Sequence, residues 1–146
     1  MATRSWPSGA KKVPQADGSK AICYKEGDLC LIDKFWTNDG NRDGEFRGET
    51  VIQLDGQVVW MMVYRGVYEE RALGCLRTAL LEAYRRNVFC GGRGPSESVY
   101  DGCLYRNTPK PNSNFASFRG CEVIQDQEDG KPLGYATYEG GLVAIA

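Results

Sequence analysis

Glu122 lies within Phe118-Arg119-Gly120-Cys121-Glu122-Val123-Ile124, where alternation along an extended strand puts Phe118, Gly120, Glu122 and Ile124 on one face. Two of those neighbours are core-like, so the carboxylate is expected to point inward, where an isolated charge is costly. It is a pocket acid able to do general acid–base work, an inward Glu bonded to Tyr or Arg, or a residue at the rim. The loop Phe89-Cys90-Gly91-Gly92-Arg93-Gly94-Pro95 offers a second constellation. Its glycines would let backbone N–H groups converge on an anion, with Arg93 adding a fork of donors. The same glycines also suit a helix C-cap and a tight return to the sheet. In the strand containing Trp60, Met62 and Tyr64, both faces are apolar, as expected for burial on both sides or for a ligand cavity.

What is missing narrows the chemistry. The 146 residues contain no histidine, which removes Ser-His-Asp and Cys-His catalysis and His-based zinc sites. The six cysteines include no Cys-x-x-Cys pair, so neither metal nor cofactor is expected. The net charge of −1 gives no field that would draw nucleic acid. No apolar run reaches the length of a membrane span, and the N-terminus lacks the apolar core of an export signal. A cytoplasmic location follows as the expectation, with all six cysteines as thiols.

Positioning these residues is the task of a repeated unit. Phe46-Arg47-Gly48-Glu49-Thr50-Val51-Ile52 returns as Phe118-Arg119-Gly120-Cys121-Glu122-Val123-Ile124, and Tyr64 and Gly66 return as Tyr138 and Gly140. Asp55-Gly56 marks a hairpin between strands at Glu45–Leu54 and Gln57–Arg65. From Glu69 to about Asn87 the apolar period becomes 3.6, with acids at the start and Arg85 and Arg86 at the end, which predicts an amphipathic helix. Strand signals cover Leu29–Ile32 before it, and Val99–Arg106, Ala116–Gln125 and Pro132–Tyr138 after it. The fold class read from this is α+β: two antiparallel three-stranded meanders related by the repeat, forming a curved sheet around one central helix (βββ-α-βββ). Residues 1–20 read as a flexible lead, and 21–146 as one domain duplicated over about 22–67 and 98–143.

The chain resembles a bacterial domain family of unknown function, DUF5680. The resemblance rests on Phe46-Arg47-Gly48, Trp60-Met61, Tyr64-Arg65-Gly66, Arg93-Gly94-Pro95, Phe118 to Ile124 and Tyr138-Glu139-Gly140-Gly141-Leu142. It covers roughly Ile22 to Val143 and implies no established activity. Some relatives join such a domain to an N-terminal helix-turn-helix, for which there is no room before Ile22.

The functional expectation is a non-catalytic module binding a small molecule or a protein in a cleft between helix and sheet. Trp60, Tyr64, Arg93, Glu122 and Tyr138 are its candidate ligand residues. One alternative is a hydrolase-like enzyme using Glu122 as general acid or base. Another is a domain that self-associates through a free sheet edge, so that monomer and homodimer both remain open.

Overall fold

The computed structural model describes residues 11–37, 44–86, 89–91 and 93–144. Among the described residues nine antiparallel strands form one sheet: β1 (Val13–Pro14), β2 (Lys20–Glu26), β3 (Leu29–Thr37), β4 (Glu45–Leu54), β5 (Gln57–Tyr68), β6 (Glu97–Tyr100), β7 (Cys103–Pro109), β8 (Ser117–Asp126) and β9 (Pro132–Leu142). Their order across the sheet is β1-β2-β3-β4-β5-β9-β8-β7-β6. A 3-10 turn at Glu70–Ala72 leads into the one described helix, α1 (Leu73–Arg86). All six cysteines are free.

This overturns the expected pair of three-stranded meanders around a central helix. Apart from the two-residue β1, each half carries four strands, and the halves join edge to edge through β5 and β9 into a single sheet with one described helix laid on it. Two details account for the miscount. Residues 20–26 form a full strand, where the lead was expected to run to residue 20. The run Val99–Arg106 is two strands, because Asp101 (φ 48°) and Gly102 (φ 72°) turn the chain tightly between β6 and β7. That Asp-Gly pair is as strong a hairpin signal as Asp55-Gly56. The run Asn38–Gly44 has the Asn, Asp and Gly of a tight turn, and its residues 38–43 lie outside the described residues.

The register carries the repeat. Phe46 pairs with Gly66 and Gly48 with Tyr64 in β4–β5. Phe118 pairs with Gly140 and Gly120 with Tyr138 in β8–β9. Each of these four aromatics therefore lies opposite a glycine. A Cβ on Gly48 would come within 2.4 Å of the Tyr64 ring, and one on Gly120 within 2.4 Å of the Tyr138 hydroxyl. Tyr64 and Tyr138 also pair directly with each other, so the two-fold relating the pairing patterns passes between them. The Phe-Arg-Gly motif is thus a rule for a sheet: Phe inward, Arg outward, Gly inward to admit a ring.

The apolar face of α1 (Cys75, Leu76, Ala79, Leu80, Ala83) is buried against the sheet. It packs with Tyr68, Cys103, Tyr105, Ile124, Leu133 and Ala136. Further along the same strands, Trp60, Met62, Phe118 and Tyr138 form a second apolar cluster. Trp60 stacks on Phe118 at 5.5 Å and donates its indole N–H to the Phe115 carbonyl.

Gly66 and Gly140 have no positive φ; what excludes a side chain is the neighbouring backbone. A Cβ would meet the Tyr135 carbonyl at 2.4 Å and the Met61 carbonyl at 2.2 Å respectively. Gly66→Ala and Gly140→Ala should each cost about 1–3 kcal/mol of stability through overpacking. Chemical denaturation measures this, and unchanged midpoints would show that the strands part freely to accept a methyl group.

Candidate functional site

A buried polar cluster lies between the two apolar clusters. Glu122 comes from the middle of β8, on the inward face set by alternation, and its exposure is 0 %. Arg93 Nε–H donates to Glu122 Oε1 at 2.8 Å, and the Tyr105 hydroxyl donates to Oε2 at 2.6 Å. Both carboxylate oxygens are therefore engaged. The Arg93 guanidinium also lies 4.7 Å from the centre of the Tyr64 ring, a cation–π geometry. Burial disfavours the Arg93 charge, but Glu122 and the surrounding tyrosine oxygens override it and hold its pKa well above the ordinary value.

Glycines bring Arg93 there. Gly91 has φ 78° and packs on Pro109 and Tyr138, while a Cβ on Gly94 would meet the Tyr105 hydroxyl at 2.5 Å. The Gly94 N–H donates to that hydroxyl at 3.1 Å. Asn107 completes the clamp by donating to the carbonyls of Cys90 and Gly94, the latter at 2.9 Å. So the described part of the loop faces inward, and Arg93 has its charge satisfied by a strand carboxylate. Of the sequence readings of Glu122, the structure has the inward Glu bonded to Arg and Tyr.

The repeat extends to the polar groups. Asp33 stands opposite Thr50 as Asn107 stands opposite Glu122. Tyr64 donates its hydroxyl to Asp33 Oδ1 at 2.7 Å, and Tyr138 donates to Asn107 Oδ1 at 2.5 Å. One half thus uses a carboxylate where the other uses an amide. Burial raises the Asp33 pKa against the opposing pull of Tyr64, Arg93 and Thr50. Burial, then Glu122, pushes Tyr105 and Tyr68 far up, while Tyr84 is raised to about 12, mainly by burial. These phenols stay protonated at neutral pH. Among the described residues the Tyr68 hydroxyl is the one buried side-chain polar atom with no hydrogen-bond partner; it feels the Glu122 charge without completing a bond to it.

All five expected ligand residues are thus accounted for. Arg93, Glu122, Tyr64 and Tyr138 come together with Asp33, Asn107 and Tyr105, which sequence reasoning had not singled out. Trp60 has no part in the polar network and lies in the apolar cluster with Phe118, which Tyr138 joins to that network. Tyr138, Trp60, Arg93 and Glu122 are buried, and Tyr64 is half-buried. As a reaction centre the cluster is fully committed to its own members; as a structural device it locks the loop onto the sheet.

The open space lies on the other face. A groove of about 670 Å³ crosses β3, β4, β5, β9 and β8. Tyr64, Tyr138, Gly48 and Gly120 border its floor at the two-fold, and Arg47, Arg65, Arg119, Trp36 and Thr137 project into it. A second hollow of about 610 Å³ shares Lys110, Arg119 and Glu139 with it and continues over Ser117 and Ser113. Among the described residues no group of His, Cys, Asp or Glu is arranged to hold a metal ion. No described helix is long and apolar enough to cross a membrane. No family model, no curated protein and no solved structure matches the chain.

Asp33 gives a pH test. A raised folded-state pKa means that the native state binds the proton more tightly than the unfolded chain. Stability from this group therefore falls as pH rises from the ordinary carboxylate range through the raised value. Asp33→Asn copies the other half of the repeat and keeps an acceptor for Tyr64. The variant should melt higher than the parent at pH 7, with the gain shrinking towards pH 3. A loss at pH 7 would mean that the charge itself stabilises the fold through Arg93.

Proposed function

We propose that the chain is a non-catalytic binding module, taking a small molecule or a protein partner on the face of its sheet opposite α1. The observation that carries this reading is the groove of about 670 Å³ at the internal two-fold, within the size range of small-molecule sites. Its walls are outward side chains with no part in the core, so they are free to meet a ligand. The cleft first expected between helix and sheet is instead occupied by the Arg93–Glu122 pair, the tyrosines and the helix itself. Glu122 as general acid or base loses support for the same reason: both its oxygens are bonded and it has no exposure. The resemblance to the DUF5680 family adds no activity to this reading.

Thermal-shift screening against a metabolite library tests it, since a ligand at a hundredfold excess over Kd stabilises by about 2.7 kcal/mol. Thr137→Trp, on the groove wall, should leave the unliganded melting temperature near that of the parent and abolish the ligand's effect. A ligand that stabilises Thr137→Trp equally would place binding elsewhere. Absence of any ligand and any partner would remove the proposal.

A further inference from the structure

The groove has an unbalanced electrostatic character. Arg47, Arg65, Lys110 and Arg119 line it, against the single carboxylate of Glu139, which leaves three positive charges in excess. Arg47 and Arg65 stand directly opposite each other in the β4–β5 pair. Like charges at that position repel and destabilise a sheet. Arg47 is only loosely paired, with Glu45 at 3.8 Å, and among the described residues Arg65, Lys110 and Arg119 have no ion pair. A protein of net charge −1 has thus gathered four cations at one place on one face, three of them without an ion pair among the described residues.

Symmetry adds the second observation. Arg47 and Arg119 are the same residue of the two Phe-Arg-Gly copies, so they flank the two-fold that passes between Tyr64 and Tyr138. Three inter-strand steps and two residues along the strand separate them, about 16 Å between Cα atoms by ideal sheet spacings. Both side chains are long, lie on the same face and line the same groove. They are placed to grip two ends of one elongated anion, with Arg65 between them.

We propose that this groove binds an oligophosphate, the chain of a diphosphate or triphosphate, with Arg47 and Arg119 on its two ends and Arg65 and Lys110 completing the charge. The inference rests on the binding-module reading above and specifies its ligand. A chain of three or four negative charges matches the excess of three, whereas a dicarboxylate would leave the arginines undercompensated. The guanidinium fork pairs with phosphate oxygens two at a time. Free oligophosphate and a nucleotide share this chemistry; Trp36, on the groove rim beside Arg47, would favour the nucleotide by adding a stacking surface.

Titration calorimetry with inorganic tripolyphosphate, ATP and adenosine at low and moderate salt decides it. Tripolyphosphate and ATP should bind and adenosine should not, with affinity falling as salt rises. Arg47→Gln and Arg119→Gln should each weaken binding about tenfold, as expected for loss of a charge-assisted contact. Arg106→Gln, outward but paired with Glu97 at 3.3 Å and outside the groove, should change nothing. ATP tighter than tripolyphosphate, with the difference lost in Trp36→Ala, would assign the nucleotide; equal affinities would assign the phosphate chain alone. Failure of both phosphates to bind would overturn the proposal, as would equal losses in the Arg106, Arg47 and Arg119 variants. If the phosphates fail while another ligand is blocked by Thr137→Trp, the binding-module reading stands and the oligophosphate is excluded.

Discussion

A buried guanidinium needs a partner, and much of this structure follows from how Arg93 finds one. An uncompensated charge in an interior is costly enough that breaking a buried pair typically loses about 3–5 kcal/mol. Glu122 is therefore fixed in the middle of β8, inward and without exposure. Tyr105 takes its second oxygen, and the Gly94 N–H and Asn107 hold the loop that delivers the arginine. The loop after the helix is thereby tied to β7 and β8 of the second half, while the Tyr64 ring under the guanidinium ties it to the first. The pair is an anchor, and its presence closes the helix-bearing face to outside chemistry.

Duplication explains why the other face is available. An aromatic opposite a glycine recurs in both hairpins, so each half buries its rings on the helix side and turns its arginines the opposite way. The two halves diverge where function would discriminate. Asp33 against Asn107 and Thr50 against Glu122 break the symmetry inside, and Trp36 against Lys110 and Arg65 against Glu139 break it outside. The inner differences settle which half receives Arg93. The outer ones make the groove polar and lopsided around an otherwise two-fold frame.

The sequence revealed these features unevenly. The repeat, the helix of Leu73–Arg86 and the Asp55-Gly56 hairpin were legible, because they rest on period, spacing and turn chemistry. The fourth strand of each half was not. Lys20–Glu26 shows no regular apolar alternation and adjoins a Pro- and Gly-rich lead, and Asp101-Gly102 sits within an apolar run read as continuous. Glu122 was recognisable as inward from its neighbours, but its partner could not be chosen among many Arg and Tyr residues, since Arg93 is 29 residues away in the chain. Asp33 was findable in principle: it lies 74 residues before Asn107, at the same offset as Tyr64 and Tyr138. The groove was invisible, because only the order β5-β9 brings Arg47, Arg65 and Arg119 to one surface.

Labour is divided between the two faces of one sheet, and a comparison of stability with binding tests this directly. Melting temperature and tripolyphosphate affinity would be measured on the parent, Glu122→Gln and Arg119→Gln, at a temperature where all three are folded. Glu122→Gln should lower the melting temperature substantially and leave affinity unchanged; Arg119→Gln should lose affinity and keep its melting temperature. A Glu122→Gln protein of parental stability that no longer binds would contradict the account and return the functional site to the helix-bearing face.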